Sequence, residues 1–238
     1  MTPKFFPENI NVISTKRYLS ERPTAFLNGF DSFNIANHVA DNSEKVFDNR
    51  KKLIQYFNLP SEPRYLNQIH SDKCLSFDAS DCEGDALYTN KKNEVCAILT
   101  ADCLPIFITD ILGQEIAIVH AGWKGLLSGV IEETLKAFDS KNLIAHFGPA
   151  ISQDSFEVGE EVRDQYIAKD KSFASSFKAY SGKYYLDLYH AGKLVLNNFA
   201  IHKISGGYEC TLKQKDEYFS YRRDGKNSGR MVNLIWIS

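Results

Sequence analysis

The chain has 238 residues and a formal net charge of −2, with 43% hydrophobic and 24% charged residues. That balance excludes a global field that gathers nucleic acid, and no apolar run approaches the roughly 18 residues needed to cross a bilayer. A chain this long buries a sizeable core without disulfides or a structural staple, so a metal bound here is expected to serve function.

The first predicted element is a helix over 41–57, where Val46, Leu53, Ile54 and Phe57 form an apolar stripe. Asn42 or Ser43 caps it and Asn58 ends it. A short extended piece is predicted at 65–70. Residues 95–100 (Val-Cys-Ala-Ile-Leu-Thr) read as a buried strand. Residues 104–109 read as a second, with Pro105 near its start, where proline is tolerated. A turn at Leu112-Gly113-Gln114 leads into a third strand over 115–120, the hairpin partner of the second.

Residues 125–138 read as one amphipathic helix, with Leu126, Leu127, Val130, Ile131, Leu135 and Phe138 on its apolar face. A strand at 143–147 ends at Gly148-Pro149. Helices follow near 159–168 and over 187–199, and the chain closes with strands around 218–221 and 230–237. Strict β-α-β alternation fails, so an α+β fold is expected, with a mixed sheet in α/β/α layers. No linker or repeat divides the chain, which reads as one domain over 1–238.

The five cysteines, Cys74, Cys82, Cys96, Cys103 and Cys210, are odd in number and hold no C-x-x-C pair. They fit free thiols in a reducing compartment. The N-terminus lacks the apolar stretch of a signal peptide. A cytoplasmic protein with no membrane and no nucleic-acid partner is expected, as a monomer or small homo-oligomer.

Three segments place a soft ligand at a chain punctuation point: Gln68-Ile69-His70, Asp102-Cys103-Leu104-Pro105, and His120-Ala121-Gly122-Trp123-Lys124-Gly125. If strands 95–100, 104–109 and 115–120 are neighbours, the hairpin brings Cys103 and His120 to one sheet end. A thiolate and two imidazoles with an open fourth position suit a catalytic zinc, and copper is the other metal that such a set admits. Taken singly, His70 also reads as a polar strand end and Cys103 as a core residue. Cys103 with His120 also reads as a nucleophile and its base, oriented by Asp102 or His70.

Two further features bear on anions. The predicted helix after His120 opens at Gly122 and Gly125 beside Lys124, which suits a phosphate or simply a tight turn. Tyr221, Arg222 and Arg223, with Arg230 beyond, place guanidinium groups near an aromatic; this suits phosphate or a flat ring, or a surface salt-bridge cluster.

The ordered blocks Ser32-Phe-Asn34-Ile-Ala-Asn-His38, Asn49-Arg50, Gln68-Ile-His70 and Glu83-Gly84-Asp85 are joined by Thr100-Ala-Asp102-Cys103-Leu-Pro105 and His120-Ala-Gly-Trp123-Lys-Gly125. Gly148-Pro149, Phe156-Glu157-Val-Gly159 and Phe219-Ser-Tyr-Arg-Arg-Asp-Gly225 with Gly229-Arg230 complete them. Together they resemble the laccase-domain, YfiH-like family, which includes purine nucleoside phosphorylase-type enzymes. The resemblance implies zinc on His70, Cys103 and His120. It also implies phosphorolysis of adenosine, inosine, guanosine or methylthioadenosine, and deamination of adenosine.

On this reading Cys103 and Asp102 are the catalytic candidates, and Asn34, Gln68, Lys124, Tyr221 and Arg222 bind nucleoside or phosphate. Two departures stand out: Ala25 to Ser32 lacks the family's arginine-plus-double-glycine loop, and Lys124 replaces a common arginine. The rivals are a copper polyphenol oxidase, a metal-independent cysteine hydrolase or amidase editing cell-wall precursors, and a zinc-binding protein without turnover. Six histidines, with only two near Cys103, argue against a multi-copper centre.

Overall fold

The computed structural model describes residues 2–19 and 32–238; the shortened loop up to Asp31 lies outside them. The strands are β1 (Ile10–Ser14), β2 (Cys74–Ser76), β3 (Ala86–Thr89), β4 (Cys96–Thr100), β5 (Leu104–Asp110), β6 (Ile116–Ala121), β7 (Leu143–Phe147), β8 (Glu157–Val158), β9 (Phe177–Tyr180), β10 (Lys183–Leu186), β11 (Ile204–Gly206) and β12 (Met231–Ile237). The helices are α1 (Ser43–Phe57), α2 (Trp123–Ser128), α3 (Val130–Lys136), α4 (Glu160–Lys169), α5 (Leu188–Asn198) and α6 (Tyr221–Asp224).

A six-stranded sheet runs β11-β7-β5-β6-β3-β2, parallel at its two ends and antiparallel between. A three-stranded antiparallel sheet runs β1-β12-β4, and β8-β10-β9 form a small third sheet. The mixed α+β character expected from sequence is present, and its layering is finer than α/β/α, because two sheets pack face to face. Strand alternation explains this directly. Phe107, Ile116 and Ile118 of the large sheet meet Ile98 and Ile235 of the small one. The opposite faces of the same strands diverge. Leu104, Ile106 and Val119 pack under Leu126, Val130, Ile131 and Val195 of the helices. Val232, Leu234 and Trp236 pack with Leu53 of α1. Strands buried on both faces carry continuous apolar runs, as β4, β5 and β6 do.

Helix α1 begins where expected, because the Asn42 side chain accepts from the N–H groups of Glu44 and Lys45, and it ends on Asn58 at φ 49°. Four expectations need correction. The single helix over 125–138 is two helices. Gly129 at φ 103° ends α2 and opens α3, a backbone state open to glycine at little cost. Residues 65–70 make only one isolated bridge, at Asn67, since the N–H groups of Ile69, His70 and Ser71 turn to a carboxylate instead of a strand. The strand near 218–221 is absent because Ser220 caps the one-turn α6. Finally, β4 pairs with β12 in the other sheet and does not adjoin β5. The hairpin of β5 with β6 is present, with Leu104 opposite Ala121 and Pro105 opposite His120.

Candidate metal centre

The β5–β6 register carries the site. Cys103 immediately precedes β5 and His120 lies on β6 opposite Pro105, so both stand at one end of the large sheet. His70 arrives from the irregular segment before β2, with its backbone at φ 60°. The ligand atoms of His70, Cys103 and His120 all lie within 4.8 Å of one another, the one such group of three or more metal-binding side chains among the described residues. The Cys103 Sγ is 3.7 Å from His70 Nε2, and the two imidazoles meet edge to face at 4.8 Å. Gly122 closes the floor. A Cβ there would lie 2.8 Å from His70 Cδ2 and 3.0 Å from the Cys103 sulfur, so the ring and thiol occupy the space a side chain would need.

Asp85, fully buried, ties the three segments together. It stands just before β3, whose Ala86 pairs with Val119 of β6. Its Oδ1 lies 2.8 Å from His120 Nδ1. Its oxygens also accept the N–H of His70 at 3.0 Å and of Ser71 at 2.6 Å, and the Ser71 hydroxyl at 2.8 Å. Burial opposes ionisation of Asp85, but the hydrogen bonds from His120 and Ser71 and the His120 charge outweigh it, holding the carboxyl at about 2. An ionised Asp85 places the proton on His120 Nδ1 and leaves Nε2 as the donor atom, the carboxylate–histidine arrangement of metal sites.

The thiol and imidazole polarise each other. Burial opposes the thiolate, yet the charge of His120 and hydrogen bonds from His120 and His70 bring Cys103 down to about 6. Burial likewise opposes the imidazolium, while Cys103 and Asp85 raise His120. A sulfur held as thiolate beside two nitrogens fits zinc or copper by donor softness and number.

These ligands form part of the wall of a cavity of about 540 Å³, lined also by His38, Gln68, Asp102, Trp123, Phe156, Tyr221, Arg222 and Arg230. The candidate residues occupy different places around it. Gln68 faces the cavity while its amide pairs with both backbone groups of Leu99, at 2.7 and 2.8 Å. Asp102, at φ 90°, accepts from Thr211 Oγ1 at 2.6 Å, Ser220 Oγ at 3.0 Å and the Arg222 N–H at 2.6 Å. Arg222 donates through both terminal nitrogens to the Glu157 carbonyl, with its guanidinium 5.1 Å from the Phe156 ring centre. Lys124 is exposed and lies outside the lining, its amine 5.5 Å over the Trp123 ring. Asn34 is fully buried outside the cavity, and its Oδ1 accepts the Arg230 N–H at 2.9 Å. Sequence reasoning gave no role to Asp85, His38 or Phe156, and it named Arg230 only as a member of the guanidinium cluster beside Tyr221. The signal that singles out Asp85 is its place in the Glu83-Gly84-Asp85 block of the family resemblance.

Residues 16–238 match the family described as multi-copper polyphenol oxidoreductase laccase. The chain is 41% identical to the purine nucleoside phosphorylase of Haemophilus influenzae over 238 residues, covering 97% of this chain and 96% of that protein. It is 41% identical over 213 residues to purine nucleoside phosphorylase YfiH of Escherichia coli, 87% of each chain. A solved Neisseria meningitidis protein superposes with a TM-score of 0.89 at 37% identity, covering 98% of this chain and 96% of that one. The structure of Bacillus licheniformis YfiH gives a TM-score of 0.85 at 25% identity, over 96% and 93%. Among the described residues no helix is long and apolar enough to cross a membrane. The two-sheet architecture and the near full-length match agree: this chain belongs to the multi-copper polyphenol oxidoreductase laccase family, the group of YfiH-like proteins.

Proposed function

We propose that the protein is a zinc-dependent purine nucleoside enzyme. It phosphorolyses adenosine, inosine, guanosine or methylthioadenosine, and deaminates adenosine. The observation that carries this reading is the His70, Cys103 and His120 set in the wall of a cavity that also holds aromatic rings and guanidinium groups. The purine nucleoside phosphorylase names of relatives at 41% identity support it.

His70, Cys103 and His120 would hold the metal, which supplies a Lewis acid when bound. The chain's own residues then divide the work. Phe156, Tyr221 and Trp123 offer flat apolar faces for a purine. Arg222 lies in the cavity wall and Lys124 outside it, and both carry the positive charge that the sequence reading assigns to phosphate. In phosphorolysis a phosphate oxygen bonds to the anomeric carbon while the carbon–nitrogen bond breaks, and the base leaves with the electron pair and takes a proton at nitrogen. In deamination water adds to the amino-bearing carbon and ammonia leaves. Of the two carboxylates nearby, Asp85 is enclosed and Asp102 lines the cavity, so the proton shuttle is assigned to Asp102.

Inosine and phosphate incubated with the zinc-loaded protein should release hypoxanthine, and adenosine should yield inosine. Chelation and Cys103→Ala should abolish both. Absence of both products from the zinc-loaded protein, with Cys103→Ala indistinguishable from wild type, would falsify the proposal.

One observation favours a second reading, a metal-independent cysteine hydrolase. Cys103, His120 and Asp85 line up as nucleophile, base and orienting carboxylate. The orienting partner is Asp85, where sequence reasoning placed Asp102 or His70. Turnover of an amide substrate that survives chelation but not alkylation of Cys103 would select this reading.

A further inference from the structure

Arg230 is built into its place from several sides. Its N–H is held by Asn34 Oδ1 at 2.9 Å. Gly229 before it packs so tightly that a Cβ would lie 2.5 Å from the Phe219 ring and 3.0 Å from Asn34 Cβ. The Tyr221 ring centre lies 5.6 Å from its guanidinium carbon. The side chain faces the cavity that carries the metal ligands.

The donors of Arg230 are only partly used. Nη1 donates to the carbonyls of Ser228 at 2.6 Å and Gly229 at 3.0 Å. Among the described residues Nε and Nη2 meet no acceptor, and no carboxylate forms an ion pair with this guanidinium. Arg222, by contrast, spends both terminal nitrogens on Glu157. Asp102, the one acidic side chain among the described residues that line the cavity, is already engaged by Thr211, Ser220 and the Arg222 peptide. Arg230 is half-buried, and the guanidinium nitrogens left without a partner stay accessible to an anion that enters the cavity. Burial draws Arg230 below its ordinary value, although Cys103 and Asp102 act against that. His38 also lines the cavity; burial, then the Arg230 and Arg50 charges, keep its imidazole below the usual range.

We infer that Arg230, with His38 beside it, is the seat of a tetrahedral oxyanion, presenting Nε and Nη2 to two of its oxygens. The inference deepens the nucleoside reading, in which that oxyanion is the inorganic phosphate co-substrate. It moves the anion seat from Lys124, outside the cavity, to a fork inside it. Asn34 then acts as a positioning residue that fixes the Arg230 backbone.

The test is calorimetric titration of the zinc-loaded full chain with inorganic phosphate and no nucleoside, so that turnover is not needed. Arg230→Gln should weaken phosphate binding about tenfold or more, the worth of a charge-assisted pair of hydrogen bonds. Arg230→Lys should lose a smaller part, keeping the charge without the fork. The exposed Lys193→Gln should bind as wild type. In the phosphorolysis assay Arg230→Lys should raise the KM for phosphate and leave the KM for inosine in place, a split that a merely structural role does not produce.

Thermal unfolding monitors the fold of each variant. If Arg230→Gln does not fold, a phosphate affinity of Arg230→Lys equal to wild type overturns the inference. It is also overturned if folded Arg230→Gln binds phosphate as wild type does, if Lys124→Gln carries the loss instead, or if wild type binds no phosphate. A nucleoside monophosphate that displaces phosphate in an Arg230-dependent manner keeps the seat but makes a nucleotide's phosphate the occupant. Arg230-dependent phosphate binding without hypoxanthine release would overturn the nucleoside reading and leave the oxyanion seat standing.

Discussion

The Asp85 carboxylate binds the His120 imidazole at 2.8 Å and the His70 peptide N–H at 3.0 Å, so one buried side chain sets two ligands of the candidate centre. Neither ligand needs the metal to be near its position. Asp85→Asn keeps the shape but turns one oxygen into a donor facing the donors of His120 and Ser71. Zinc affinity should fall about 10- to 100-fold, the range for partners that orient a metal ligand. Competition against a chromophoric chelator reads this directly, and wild-type affinity in the variant would show that Asp85 does not orient the ligands.

Gly122→Ala tests the packing under the same centre. The new Cβ would meet His70 Cδ2 at 2.8 Å and the Cys103 sulfur at 3.0 Å, so one ligand must shift. The Gly122 backbone itself, at φ −68°, accepts alanine without strain. The expected outcome is lost zinc affinity with the circular dichroism spectrum unchanged. A variant with full zinc content would mean that the ligands relax freely around the added methyl.

What the sequence made legible is local. Asn42 and Asn58 mark both ends of α1 because a cap is a contact within three or four residues. The β5–β6 hairpin, and with it the placing of Cys103 and His120 at one sheet end, follows from two apolar runs around a turn. The rest depends on distant partners. β4 and β12 pair across more than a hundred residues, and no period in either strand announces it. Ile69 to Ser71 look extended yet serve Asp85, and the Ser220 hydroxyl that caps α6 also reaches Asp102. His70 entered the ligand set through family resemblance, because its place is fixed by Asp85, a distant carboxylate that stands just before β3.

Away from the site, His146 predicts an acid limit to stability. It stands on β7, its ring stacked on Phe107 and its Nδ1 2.8 Å from Ser205 Oγ. Burial lowers its pKa to about 4. A histidine kept neutral in the fold but free to protonate when unfolded favours the native state above pH about 6.5. That contribution is lost as pH falls from about 6.5 towards 4, where the unfolded chain binds the extra proton. The loss should reach about 2 to 3 kcal/mol at pH 4. Urea unfolding of wild type and His146→Asn across this window should show a smaller decline in the variant. Parallel declines would assign the acid sensitivity to other groups.

Asp102→Asn separates proton transfer from architecture. Asp102 sits at φ 90°, a left-handed backbone that asparagine also tolerates. Its two oxygens accept from Thr211, Ser220 and the Arg222 peptide, so the amide keeps one acceptor and faces donors with the other. Removing a positioned proton carrier costs about 10²- to 10⁴-fold in rate. The expected outcome is a kcat lowered by that range with the KM for inosine held within a few-fold and zinc content unchanged. If Asp102 serves only to hold Thr211, Ser220 and Arg222 in place, the variant instead loses thermal stability and substrate affinity while kcat at saturation stays close to wild type. A pH profile adds a second discriminator, because the limb that reports the shuttle disappears in Asp102→Asn only when the carboxylate itself carries the proton.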